Sequence, residues 1–432
     1  MKKKTTRTLT PKLLFPEFRE EPGWEEAKLS QLGKLVSGLT YSPKDVRDNG
    51  LLVLRSSNIQ NGEITLDDCV YVTPTVKGAN LAKPKDILIC VRNGSKPLIG
   101  KNAMIPEGIP KCTHGAFMTV LRAHAAYFVF QLLQTSAFQK QVAADLGATI
   151  NSINSSNLLK YRFFVPSEPL EQERIADCLA ALDTQIAAEG RKLEALRDHK
   201  RGLIQQLFPQ PGQTQPRLRF PKFRDNGEWE ESPLGRLLSR KPEYGVNAAA
   251  VPFSEDLPTY IRITDIDDEG QFTKDNRVSV DIEATEENYL VEGDIVLART
   301  GASVGKSYRY RPKDGRLVFA GFLIRVRPNP KKLVPDLLSN YLTTWQYWDW
   351  VRVSSARSGQ PGINGSEYAS MPVPLPPAGP KGNELAEQQK IADCLTALDT
   401  QIAAQAAKIE SLKTHKRGLM QQLFPSPQEI EA

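Results

Sequence analysis

"IADCLAALDTQIAA" occupies residues 175–188, and "IADCLTALDTQIAA" occupies residues 391–404, 216 positions later (391 − 175). Aligned without a gap, residues 171–209 and 387–425 share 28 of 39 positions, and both close on "HKRGL-x-QQLFP". A repeat of this length divides the chain into two halves before any element is assigned. The halves also begin alike: "PKLLFPEF" at Pro11 answers "PRLRFPKF" at Pro216, and Trp24 answers Trp229, both 205 apart. Between these ends the offset drifts. It is 207 for Arg55 and Arg262, 208 for Asp86 and Asp294, and 210 for Asn154 and Asn364. Each half is therefore a diverged globular domain followed by a nearly invariant helix.

Apolar residues in that helix follow an alternating four-three spacing. In the first copy they are Ile175, Leu179, Leu182, Ile186, Leu193, Leu196, Leu203 and Leu207; in the second, Ile391, Leu395, Leu398, Ile402, Ile409, Leu412, Leu419 and Leu423. This is the heptad seam of a coiled coil, a narrow stripe that faces another helix. Polar residues interrupt it at matched steps, Glu189 and Lys200 against Gln405 and Lys416, where they fix register. Two equal helices separated by a long domain pair naturally antiparallel, which predicts a rod with one globular domain at each end. At 1.5 Å per residue the helix from Glu171 to Leu207 spans about 55 Å.

The expected organisation is a first domain over 1–168, a coiled-coil helix over 169–208 and a proline-rich linker over 209–220. A second domain over 221–383, a second helix over 384–425 and a tail over 426–432 follow. "FPQPGQTQPRLRFP" (208–221) and "PVPLPPAGPKG" (372–382) cannot continue a helix and mark the breaks. Each domain reads as mixed α/β. Leu51–Ile59 and Thr259–Ile266 are expected as strands running into polar turns, and Asp86–Ser95 and Asp294–Ser303 as strands ending at an arginine and a Gly-containing loop. Residues 128–144 and 337–352 each look helical.

With 40% hydrophobic and 25% charged residues the chain is an ordinary globular one. No apolar run approaches the roughly 20 residues of a membrane span, and no signal-peptide core follows the basic start, so no membrane association is expected and the cytoplasm is the expected compartment. The net charge of +6 permits a polyanionic partner without demanding one. Five cysteines include no C-x-x-C pair, and Cys112 with His114 has no second ligand pair at zinc spacing, so no metal is expected. "GASVGKS" (301–307) has three residues between its glycines where a phosphate-binding loop needs four, which argues against nucleotide hydrolysis. No S-adenosylmethionine loop, methyltransferase tetrapeptide or nucleophile elbow is present. The chain reads as a binder rather than a catalyst.

Cationic and amide side chains on Gly-rich loops hold phosphates and read base edges. Arg92, Asn93, Ser95 and Lys96 in the first half, and Arg299, Thr300, Ser303 and Lys306 in the second, fit that role. Arg55, Ser57, Asn58 and Asn154, with Arg262, Thr264, Arg357, Gln360 and Asn364, complete the candidate DNA-binding set. Corresponding loops with altered side chains point to two readers of different sequences. A coiled-coil scaffold with two protein-binding heads is the alternative.

The whole chain resembles the specificity subunit of type I restriction-modification enzymes. The resemblance rests on the "P-x-L-x-F-P-x-F" entry with its tryptophan, the strand-to-"RTGASVGK" loop, the "EQERIADCLAALD" and "EQQKIADCLTALD" helix starts, and the closing "KRGL-x-QQLF". It implies two target-recognition domains joined by antiparallel helices, each domain reading half of an asymmetric, bipartite site in double-stranded DNA through the major groove. It implies helices that set the spacer and help dock two modification subunits, which methylate adenine, and a motor-nuclease restriction subunit. S-adenosylmethionine, ATP and Mg would then belong to those partners and no cofactor to this chain. The first domain departs from the usual R-x-G-x-x-G-K form, with "RNGSKPLIGK" in its place.

Overall fold

The computed structural model describes residues 8–146, 151–357, 359–377 and 385–425. The start of the Gly147 loop, the end of the 372–382 break and the 426–432 tail lie outside the described residues. The chain divides into two compact units, 1–190 with 407–432, and 191–406. Both repeat helices, Pro169–Leu207 and Ala386–Leu423, therefore contribute residues to both units.

In the first unit a four-stranded antiparallel sheet runs in the order Asn102–Met104, Ile87–Cys90, Met118–Ala123, Gly33–Ser37. A second sheet pairs Cys112–His114 parallel with Leu51–Leu54, followed by Val70–Val72 and Val46–Arg47. The second unit repeats this topology. Its first sheet is Ser307–Arg309, Ile295–Ala298, Leu323–Val326, Glu243–Tyr244, and its second carries Leu317–Phe319 parallel to Thr259–Ile261. The expected strands are shorter than their apolar runs, because the chain turns into a 3-10 helix at Ser56–Asn58 and at Ile263–Asp265.

The apolar runs expected as single helices are each broken in two. Ala126–Leu132 is followed by Ser136–Asp145, and Pro335–Tyr341 by Trp345–Ser354. At each break a threonine caps the second helix: Thr135 Oγ1 accepts from Phe138 N, and Thr344 Oγ1 from Tyr347 N. The cap satisfies an end N–H that the uninterrupted apolar pattern conceals.

The repeat helices run antiparallel within each unit. In the first, Asp183 meets Lys416 at 2.6 Å and Glu189 meets Lys408. In the second, Lys200 meets Asp399 at 2.7 Å. Asp183 and Asp399 are the same repeat position, as are Lys200 and Lys416, so one ion pair is written twice. Glu189, Lys200 and Lys416, which interrupt the apolar seam, thus each have a charged partner on the facing helix. Seam residues are buried or half-buried throughout.

At their ends the helices join the domain cores. Ile175, Leu179, Leu423 and Phe424 pack in the first unit, and Leu207, Phe208, Ile391 and Leu395 in the second. The closing phenylalanine of each repeat meets the entry tryptophan of the other, Phe424 with Trp24 at 6.0 Å between ring centroids and Phe208 with Trp229 at 6.1 Å. These edge-on contacts are the geometry that aromatic quadrupoles favour.

Candidate nucleic-acid interface

In the first unit the central strand Ile87–Cys90 delivers the chain to a junction of loops. Val91 N and Arg92 N both donate to Phe117 O, at 3.0 and 3.1 Å, and Ile153 N donates to Val91 O at 2.8 Å. Asn93 reaches Ser56 Oγ through Nδ2 at 3.1 Å and accepts from Ser95 N through Oδ1. Asn151 Nδ2 donates to Gly94 O. The loops at 55–58, 92–96 and 151–154 are thereby joined into one surface. Arg92 is exposed, its guanidinium 5.6 Å from the centre of the Phe117 ring.

The second unit builds the same junction. Arg299 N donates to Phe322 O at 3.1 Å, Ile363 N to Arg299 O at 2.9 Å, and Gly301 N to Pro361 O. This brings the 299–303 loop against the loop that carries Gln360 and Asn364. The Arg299 guanidinium lies 4.9 Å from the Tyr244 ring centre and donates to Gly321 O.

The hydrogen-bond ladder carries the offset of 208 seen at Asp86 and Asp294 on into these loops. Ile153 bonds Val91 where Ile363 bonds Arg299, and Arg92 bridges Ser152 where Thr300 bridges Gly362. Arg92 thus stands at the position of Thr300, and Arg299 at that of Val91. The two arginines sit one residue apart in the common frame.

Several candidate side chains already have strong partners. Arg55 pairs with Asp68 at 2.8 Å, Arg262 with Asp265 at 2.7 Å, Lys306 with Asp268 at 2.7 Å, and Arg357 with Glu367. The ammonium of Lys306 holds the Asp268 carboxyl below its usual range, and the Asp265 carboxylate raises the Arg262 guanidinium. Asn154 and Asn364 are exposed helix caps, accepting from Ser156 N and Glu367 N. Ser57 and Thr264 are exposed at equivalent points of the two 3-10 turns, and Ser95, Lys96 and Gln360 are exposed on their loops. Ser303 is half-buried.

Asn58 leaves the DNA-facing set. It is fully buried, its Nδ2 donates to Thr65 O and Asp68 O, and its Oδ1 accepts from Arg55 N. It is the internal clamp of the turn, a task Asp265 performs in the second unit through Arg262 N. Three exposed rings were missed: Phe117 at 57%, Phe322 at 62% and Tyr244 at 50%. The available signal was a phenylalanine at matching places in the two halves, 205 apart, directly before a strand.

Cys112 and His114 lie in a buried strand, with His114 Nε2 3.0 Å from Val36 O. Burial pushes the Cys112 thiol up to about 11 and lowers the His114 imidazole. Among the described residues no cluster of three or more metal-ligating side chains occurs, and no helix is long and apolar enough to cross a membrane.

Comparison with known proteins agrees with this duplicated geometry. The family model described as "Type I restriction modification DNA specificity domain" matches twice, over residues 21–198 and 228–414. The specificity subunit of the type I restriction enzyme StySPI of Salmonella potsdam is 24% identical over 411 residues, spanning 90% of this chain and 86% of its own length. That of EcoKI from Escherichia coli (strain K12) is 26% identical over 423 residues, with the same 90% and 86% coverage. The crystal structure of the type I restriction-modification S subunit from M. genitalium shares the fold, with a TM-score of 0.59, 17% identity, and coverage of 97% of this chain and 100% of that one. With two matched domains covering most of its length, each built around the same loop junction, the chain belongs to the type I restriction-modification DNA specificity family and is a specificity subunit with two target-recognition domains.

Proposed function

We propose that each loop junction reads one half of a bipartite, asymmetric site in double-stranded DNA through the major groove. The observation that carries this reading is one backbone junction built twice with different side chains, Val91 and Arg92 in one unit against Arg299 and Thr300 in the other. A shared frame supplies the same approach to DNA, and changed side chains supply different base contacts. The chain itself is non-catalytic and holds no cofactor. Two modification subunits carry S-adenosylmethionine and flip the target adenine into their own pockets, and restriction subunits use ATP and Mg. The assembly works in the cytoplasm. The repeated ion pair presents matching helical surfaces twice, which suits one kind of partner docking twice.

Arg299→Ala in the complex with modification subunits tests the readout. If Arg299 pairs with guanine, about 1–3 kcal/mol is lost at one base pair of one half-site. A phosphate contact would instead weaken binding to all sequences alike.

The paired helices set the spacer. One heptad added to both helices lengthens them by about 10 Å and keeps the seam in register. That corresponds to roughly three extra base pairs at 3.4 Å each. Methylation mapping is expected to show the longer spacer, and an active variant that keeps the original spacer would contradict it.

A further inference from the structure

Phe117 and Phe322 are 57% and 62% exposed, although each opens directly onto a strand whose first four residues are buried. Single exposed apolar residues are common on protein surfaces. These two occupy the same turn of two diverged domains, and both backbone carbonyls accept from the residue directly after the central strand, Val91 or Arg299. Both turns adjoin a guanidinium, Arg92 over the Phe117 ring and Arg299 bonded to Gly321 O beside Phe322.

These two guanidiniums differ from the neighbouring cations. Arg55, Arg262, Lys306 and Arg357 are neutralised by carboxylates. Among the described residues Arg92 and Arg299 meet none, and rest on the rings of Phe117 and Tyr244 instead. A ring face orients a guanidinium through its quadrupole while leaving the charge and the in-plane N–H fork for a ligand. Guanine presents the matching acceptors, O6 and N7, in the major groove, and thymine presents an apolar C5 methyl there.

We propose that Phe117 and Phe322 are base-contacting residues, each seating a thymine C5 methyl next to the guanine that Arg92 or Arg299 reads. Tyr244 is a positioning residue that holds Arg299 in its reading pose. This rests on the DNA-reading function proposed above.

The test uses the full chain assembled with its modification subunits, on duplexes carrying the mapped site. Each thymine of a half-site is replaced in turn by deoxyuridine, which removes only the methyl group. Wild-type binding is expected to weaken about fourfold at one position per half-site, the worth of one buried methyl-sized group. Phe117→Ala is expected to be indifferent to that replacement in the first half-site only, and Phe322→Ala in the second only. Phe117→Leu should keep part of the preference. Wild-type binding unchanged by every deoxyuridine, a half-site without thymine, or alanine variants that weaken all sequences alike would each overturn the proposal. A complex with no sequence preference at all would instead remove the DNA-reading function beneath it.

Discussion

Replacing Glu387 by glutamine is expected to destabilise the second unit by about 3–5 kcal/mol, the cost of leaving a buried charge unpaired. Glu387 binds Arg219 through both oxygens, at 2.7 and 2.9 Å, with side-chain exposures of 3% and 6%. Arg219 also donates to Asn226 O and Gly227 O, so the guanidinium ties the helix start to the domain entry. Glu171 occupies the same repeat position, but Leu14 stands where Arg219 would be. Its carboxylate accepts from Trp24 Nε1 at 2.9 Å and, among the described residues, meets no cation. Burial, with Glu21 and Glu168 nearby, raises its proton affinity above the usual carboxylate range, against the lowering pull of Trp24. Trp229, the counterpart of Trp24, leaves its Nε1 without a hydrogen-bond partner among the described residues. Because the folded state holds the Glu171 proton more tightly, its stabilising contribution is present at low pH and lost as pH rises through the raised value. Glu171→Gln keeps the acceptor for Trp24, removes the buried charge, and should leave the first unit as stable or more stable at neutral pH with that pH dependence gone. Calorimetric unfolding of both variants between pH 4.5 and 8 checks this. Equal losses would contradict it.

Reversing one inter-helix ion pair is expected to produce the next largest effect. Lys416→Asp places two carboxylates together, and Lys416 is only 13% exposed beside Asp183 at 41%. About 2 kcal/mol should be lost, less than for a fully buried pair because water screens Asp183. Asp183 also accepts from Gln131 Nε2 at 2.9 Å, so the loss extends to the contact between the helix and its domain. Adding Asp183→Lys should restore most of the stability if the pair fixes register by charge complementarity. Denaturant unfolding of the two single variants and the double variant forms the cycle that measures the coupling. A double variant no better than Lys416→Asp alone would assign register to the apolar seam.

The helices were legible because their spacing recurs twice with the same polar interruptions, and periodicity is the strongest signal a sequence carries. The contacts of their ends were not. Trp24 packs on Phe424, a residue from the far end of the chain, and nothing local to either residue announces the other. The helix breaks escaped notice because Thr135 and Thr344 interrupt apolar runs without a proline or glycine. In the loops, residue type located the junction but not the role of each residue. Asn58 looked like a surface amide and is an internal clamp, since only tertiary packing closes over it. Phe117 and Phe322 stand directly before buried strands, and residue type alone does not announce that their rings are exposed.

The central claim, that the two domains read independently, is tested most directly by exchange. Residues 220–377 are replaced by the corresponding domain of a relative with a different site, and adenine methylation by the chimaeric complex is mapped across a genome. One half-site is expected to change to that of the donor while the other half-site is kept. A change in both half-sites together would contradict the claim.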